Sequence, residues 1–164
     1  MKLHKTVAAA LMILSSASFA MAETDARKTF DMLKGMEGNW TGKNQQGQPL
    51  EVTFRITAGG SALMSEIHSK GGKEDMITMI HLDGDRLLMT HYCSAGNQPR
   101  MKVVSSDAKS ARFEFVDGTN LGAEDGHMQN VTFTQTDADH HIENWVFANH
   151  GNEMKELFTL ERVK

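Results

Sequence analysis

Leu50-Glu51-Val52-Thr53-Phe54-Arg55-Ile56-Thr57 alternates apolar and polar residues at every step. In an extended chain Leu50, Val52, Phe54 and Ile56 fall on one side, and Glu51, Thr53, Arg55 and Thr57 on the other. A period of two marks a strand with one face in a core and one in water. Gln46-Gly47-Gln48-Pro49 precedes the run and Gly59-Gly60 follows it, and both are turn chemistry. The same pattern recurs further on. Phe113 and Phe115 oppose Arg112 and Glu114, and Val131 and Phe133 oppose Thr132 and Thr134. Met154, Glu156, Phe158 and Leu160 alternate less purely.

Extending this reading predicts strands at 39–45, 50–58, 61–69, 75–82, 86–93, 99–105, 111–117, 128–136, 140–148 and 153–162. Gly71-Gly72, Asp83-Gly84, Gly96-Asn97, Asp117-Gly118 and His150-Gly151 separate several of them. Before the first strand, residues 25–36 carry Phe30, Leu33 and Lys34 at helical spacing. Thr24 or Asp25 is the candidate N-cap and Gly35 the stop. The predicted class is all-β: an up-and-down antiparallel barrel of about ten strands, closed, with one short N-terminal helix. Short sequential connections favour a meander, and a meander this long removes its edges best by closing. The longest connection, 118–126, is a candidate lid or mouth loop.

The chain is 164 residues with a formal net charge of −4, the size of one domain. That charge gives no electrostatic case for nucleic acid as a partner. Residues 1–22 read as a cleaved secretory signal: Lys2 and Lys5, then the short apolar run Thr6 to Ala20, then the small-x-small site Ala20-Met21-Ala22. The run is too short for a comfortable membrane span. Residues 23–164 are then a single exported domain, periplasmic or secreted, with no stable membrane span. Cys93 is the only cysteine, so it has no partner within its own chain.

Gly38-Asn39-Trp40-Thr41-Gly42 opens the first strand, and Arg162 lies in the last. A large aromatic there can plug one end of a barrel. Flanking glycines let the chain pass close to it, and a guanidinium from the last strand can stack on the indole. With the helix before it and the strand count, this set resembles the calycin pattern of lipocalins, fatty-acid-binding proteins and nitrobindin-like haem-binding barrels. The resemblance implies a structural role for Gly38, Trp40, Gly42 and Arg162. Residues 37–147 are also similar to a group of exported bacterial proteins of unknown function. Thr57-Ala58-Gly59-Gly60-Ser61-Ala62-Leu63, His81-Leu82-Asp83-Gly84-Asp85 and His91-Tyr92-Cys93 carry that likeness, with Gly96-Asn97-Gln98-Pro99-Arg100-Met101. Nitrobindin-like barrels hold haem through a late histidine; none of His140, His141 and His150 sits in such a motif, and Lys43-Asn44 departs from the nitrobindin-type opening.

The densest polar cluster runs from His91 to Arg100. His91 and Cys93 are two apart and share a side of a strand, so imidazole and thiol can act together. Whether His81 joins them depends on the hairpin between their strands. A two-residue Asp83-Gly84 turn puts His81 on the face opposite His91. A three-residue loop instead puts Ile77, Met79 and His81 with Leu87, Met89, His91 and Cys93. The second register makes the more uniformly apolar face and is the preferred one. His127 and Asn120 lie at the end of and within the long loop. Adjacent His140 and His141 point apart, and Trp145, alternating with Glu143 and Phe147, reads as core or pocket wall.

Hydrolase, nucleotide, zinc-protease and thioredoxin signatures are absent from the sequence. The preferred expectation is therefore a binding module rather than an enzyme. It is a barrel with a methionine-rich apolar interior that holds a small lipophilic ligand, oriented by His81, His91, Asn97, Arg100 and His127. One alternative is haem or transition-metal binding through His81, His91 or His127, perhaps with Cys93. Another is an enzyme using Cys93 and His91.

Overall fold

The computed structural model describes residues 16–69 and 75–164. Residues 1–15, most of the segment expected to be a signal, lie outside the described residues. Helix α1 spans Ser16–Lys34. It begins earlier than the Thr24 or Asp25 cap predicts. Residues 16–22 are rich in alanine, which favours helix continuation over a cap. The helix runs through the cleavage position expected after Ala22, and removal of the leader would leave its 23–34 portion.

Ten strands follow: β1 (Gly38–Asn44), β2 (Pro49–Thr57), β3 (Ala62–Ser69), β4 (Asp75–Asp83), β5 (Arg86–Tyr92), β6 (Gln98–Ser106), β7 (Ser110–Thr119), β8 (His127–Gln135), β9 (His140–Asn149) and β10 (Asn152–Arg162). Each pairs antiparallel with its sequence neighbours, and β1 pairs with β10, so the meander closes into a barrel. Every predicted strand is present, with ends shifted by a residue or two. Closure leaves no edge in the sheet. A single 3-10 turn, Ala58–Gly60, links β2 to β3.

The alternation read from the sequence sets which side chains face inward. Leu50, Val52 and Phe54 of β2, Ala111 and Phe113 of β7, Val131 and Phe133 of β8, and Leu160 of β10 are buried in one continuous core. One end of the barrel is plugged from outside by α1, whose Phe30 and Leu33, with Met36 just after it, are buried. Thr29 Oγ1 and Ser106 Oγ, 2.7 Å apart, tie the helix to the end of β6.

Trp40 lies beneath that plug. Its indole N–H donates to the Met36 carbonyl at 2.8 Å, and the Arg162 guanidinium sits 4.1 Å from its ring centre. Arg162 is Trp40's direct partner across the β1–β10 seam. The same guanidinium donates to the carbonyls of Glu37 at 2.6 Å, Gly35 at 3.1 Å and Ala138 at 3.2 Å. It therefore satisfies carbonyls left open just past the helix C-terminus. A side chain at Gly38 would come within 2.8 Å of Arg162 Nη1, and one at Gly42 would overlap the Thr159 carbonyl. At Gly42 the close backbone approach requires glycine.

The β4–β5 hairpin corrects one expectation. Asp83 pairs with Arg86, so the turn has two central residues, Gly84 and Asp85. Gly84 takes φ +62°, the left-handed value that suits a tight hairpin. Thr78, Ile80 and Leu82 therefore share the inner face with Leu87, Met89 and His91, and His81 lies on the outer face with Leu88. Parity is that of a two-residue turn, moved one residue along from Asp83-Gly84. Turn chemistry outweighed the gain from a more uniformly apolar face, and Thr78 is accommodated inside by a hydrogen bond.

Candidate functional site

A seam of polar side chains crosses the otherwise apolar interior. On one wall Ser65, Thr78 and His91 are direct partners across β3, β4 and β5. All three are fully buried. Thr78 Oγ1 and His91 Nδ1 are 2.9 Å apart. Facing them, β9 contributes His141, Glu143 and Trp145, which its period of two places on one side. The Trp145 indole N–H donates to Glu143 Oε2 at 2.8 Å, and His141 Nε2–H donates to Glu143 Oε1 at 3.1 Å.

Aromatic contacts join the two walls. The His91 and Trp145 rings are 4.9 Å apart between centres. His141 stands edge-on to Trp40 at 4.2 Å and meets Phe54 at 5.6 Å. The seam thus runs from the plugged end, at His141, toward the opposite end, at His91. Ser65 Oγ, His91 Nε2 and His141 Nδ1 are buried without a hydrogen-bond partner. Burial pushes the His91 pKa down to about 4, because the charged ring would lose its water without gaining a counter-charge.

The end opposite the helix is the candidate mouth. There Met76, Phe115 and Phe147 are half-buried and Met154 is exposed. The 120–126 loop folds across one side of it. Asn97 Nδ2 donates to the Gly126 carbonyl at 2.8 Å, and Asn97 Oδ1 is buried and unpartnered. A side chain at Gly126 would come within 2.6 Å of the Phe147 ring. Asn120 Nδ2 and Thr119 Oγ1 each donate to Gln98 Oε1 at 2.8 Å. A cleft of about 330 Å³ lies between this loop and the β9–β10 turn, lined by Glu124, His127 and His150 among others. A larger one, about 580 Å³, lies at the plugged end beside Lys109 and Arg162, away from the seam.

The residues expected to orient a ligand are dispersed. His91 is in the interior and Asn97 at the mouth. His127 is half-buried beside them, its ring 4.2 Å from Phe115 and its nitrogens near the Asp125 carbonyl and Gln129. Arg100 points outward, paired to Asp117 at 2.5 and 2.6 Å. That hydrogen-bonded pair holds the Asp117 carboxyl below its usual range. His81 is on the outer face of β4. Cys93 sits just past β5, half-exposed, in a turn closed by its N–H on the Asn97 carbonyl at 3.1 Å. Among the described residues, no group of three or more His, Cys, Asp or Glu side chains is arranged to hold a metal ion. His141, Glu143 and Ser65 were not singled out as site residues from sequence. The signal for the first two was available in the inward register of Trp145, which carries both with it.

No family model matches the chain, and no curated protein matches it. Among solved structures it is similar to a protein of unknown function from the DUF3598 family of Nostoc punctiforme PCC 73102, with a TM-score of 0.55 and 14% identity. The match covers 79% of this chain and 48% of that one, so this chain spans about half the length of its structural neighbour. The likeness is one of fold.

Proposed function

We propose that this protein is an exported, calycin-like barrel that binds a small lipophilic molecule inside, with entry from the end opposite the helix. The closed ten-strand meander and the Trp40–Arg162 stack support the calycin-like reading. The leader-like residues 1–22 support export, and among the described residues no helix is long and apolar enough to cross a membrane.

One observation carries the binding reading: Ser65 Oγ, His91 Nε2 and His141 Nδ1 are buried and unsatisfied within an apolar interior. Each such group costs about 1–3 kcal/mol. A barrel built only to fold gains by replacing them with apolar side chains of the same shape. Orphaned buried polar groups call for an explanation, and service to a bound state is the one this interior suits. The polar atoms have no accessible surface in this conformation, so binding requires side chains around them to shift. Met89 and Met101 in the core and Met128 beside the mouth are suited to that, being unbranched and adaptable.

The test is native mass spectrometry of the protein purified from an exporting cell, with an absorption spectrum of the same sample. The expected result is a bound organic mass without visible absorbance. A Soret band would replace this reading with haem binding, and a clean apo mass would overturn tight binding of any cargo.

A further inference from the structure

The charge of the inner wall says which lipophilic molecules the barrel takes, provided that it binds them inside as proposed above. Two carboxylates face inward on neighbouring strands. Glu143 of β9 is fully buried. Glu156 of β10 is the direct cross-strand partner of Trp145 and so shares its inner side, nearer the mouth. Glu156 Oε2 accepts from Gln46 Nε2 at 3.4 Å, while its Oε1 is buried without a partner. Asn97 Oδ1, another acceptor, is likewise buried and open at the same end.

None of the buried side chains among the described residues is a lysine or arginine. Arg162 is committed to Trp40 and three carbonyls at the plugged end. His91 stays neutral above about pH 4, and His141 is already engaged with Glu143. A carboxylate brought into this interior would be desolvated beside the Glu143 and Glu156 carboxyl groups, with no buried lysine or arginine among the described residues to pair it. A head group that donates hydrogen bonds meets the open acceptors instead.

We propose that the interior selects apolar molecules whose polar head is a hydrogen-bond donor without negative charge, an amine or a hydroxyl, and rejects carboxylates such as fatty acids. Glu156 and Asn97 receive the head at the mouth, and Glu143, its oxygens already taken by His141 and Trp145, offers a carboxylate no donor deeper in. The hydrocarbon body lies among Met76, Met128, Phe115 and Phe147.

The experiment uses matched alkyl series, hexyl to decyl, carrying amine, alcohol or carboxylate heads, below their micelle concentrations at pH 7.5. Binding is read by quenching of tryptophan fluorescence, since Trp145 lies beside the site, and by native mass spectrometry. The expected result is that the amine or the alcohol binds about tenfold or more tightly than the carboxylate of equal length. Amine above alcohol assigns the head to Glu156 as an ion pair, and parity assigns it to hydrogen bonding alone. A carboxylate that binds as tightly as its partners overturns the selectivity but leaves interior binding standing. Failure of every series to bind overturns both. Glu156→Gln, at a half-exposed position that tolerates change, should narrow the difference by strengthening carboxylate binding. An unchanged ratio in a folded Glu156→Gln protein also counts against the proposal.

Discussion

His91 shows how one residue couples packing to pH. Its ring is enclosed by Thr78 and Trp145, and burial holds its pKa at about 4, against about 6.5 in an unfolded chain. Below pH 6.5 the unfolded chain takes up a proton that the folded protein resists, so stability falls as pH drops and levels off below pH 4. The gap corresponds to a loss of about 3 kcal/mol between pH 7.5 and pH 4. Urea unfolding across that range measures it. His91→Gln keeps a partner for Thr78 without an ionisable ring, and it should lose less stability than the parent by about that amount. Equal losses in the two proteins would show that His91 is not the titrating group. The surface pair His140–Asp137 works in the opposite sense: hydrogen bonding to Asp137 raises the His140 pKa. Both groups are solvated, so this pair contributes little to the slope.

At the scale of elements, the strands are held less by propensity than by where glycine permits contact. β1 runs so close to β10 at Gly42 that an added methyl would overlap the Thr159 carbonyl. That obstacle is backbone and cannot swing aside. Gly42→Ala should therefore separate the seam and cost about 3 kcal/mol or more, in line with overpacking of a tight contact. Gly47 tests the contrast. Its φ is +77° in the β1–β2 turn, and nothing lies within 4 Å of an added Cβ. Gly47→Ala should cost only the strain of a left-handed alanine, about 1 kcal/mol. Thermal melts of the two variants check the order, and a milder effect at Gly42 would contradict the seam geometry. The helix is an element of the same kind. Phe30 and Leu33 are legible as its apolar stripe, but the sequence does not say that the stripe covers the end of a barrel rather than its side.

For the whole molecule, the decisive contact is Trp40 opposite Arg162, which closes the sheet between its first and last strands. Such a long-range closure makes folding slow relative to a helical protein of this length. It also leaves no free edge to fray. Amide exchange should therefore be as slow along β1 and β10 as along the central β8 and β9, each opening only with global unfolding. Hydrogen-exchange mass spectrometry decides this. Seam peptides that exchange well before β8 would indicate an open sheet in solution. The 120–126 loop, held by single hydrogen bonds to Asn97 and Gln98 and an exposed Glu124–His150 ion pair, should exchange first.

The sequence alone carried the strand count, the meander order and most inward positions. Those follow from local rules: a period of two, and turns that glycine and proline announce. It also carried the pairing of Trp40 with a terminal arginine, because the motif is short and contiguous at each end. Only the folded chain shows which β4–β5 register is taken and, with it, that His81 is excluded from the interior. A one-residue change in a turn reverses every side chain beyond it, and local preference did not fix the turn's position. Tertiary structure also decided which polar residues meet. His91 and Trp145 lie on strands far apart in sequence, and Glu156 is set beside Trp145 only by the β9–β10 pairing. A site made by closing a barrel has no contiguous spacing, so its members become neighbours only when the last strand joins the first.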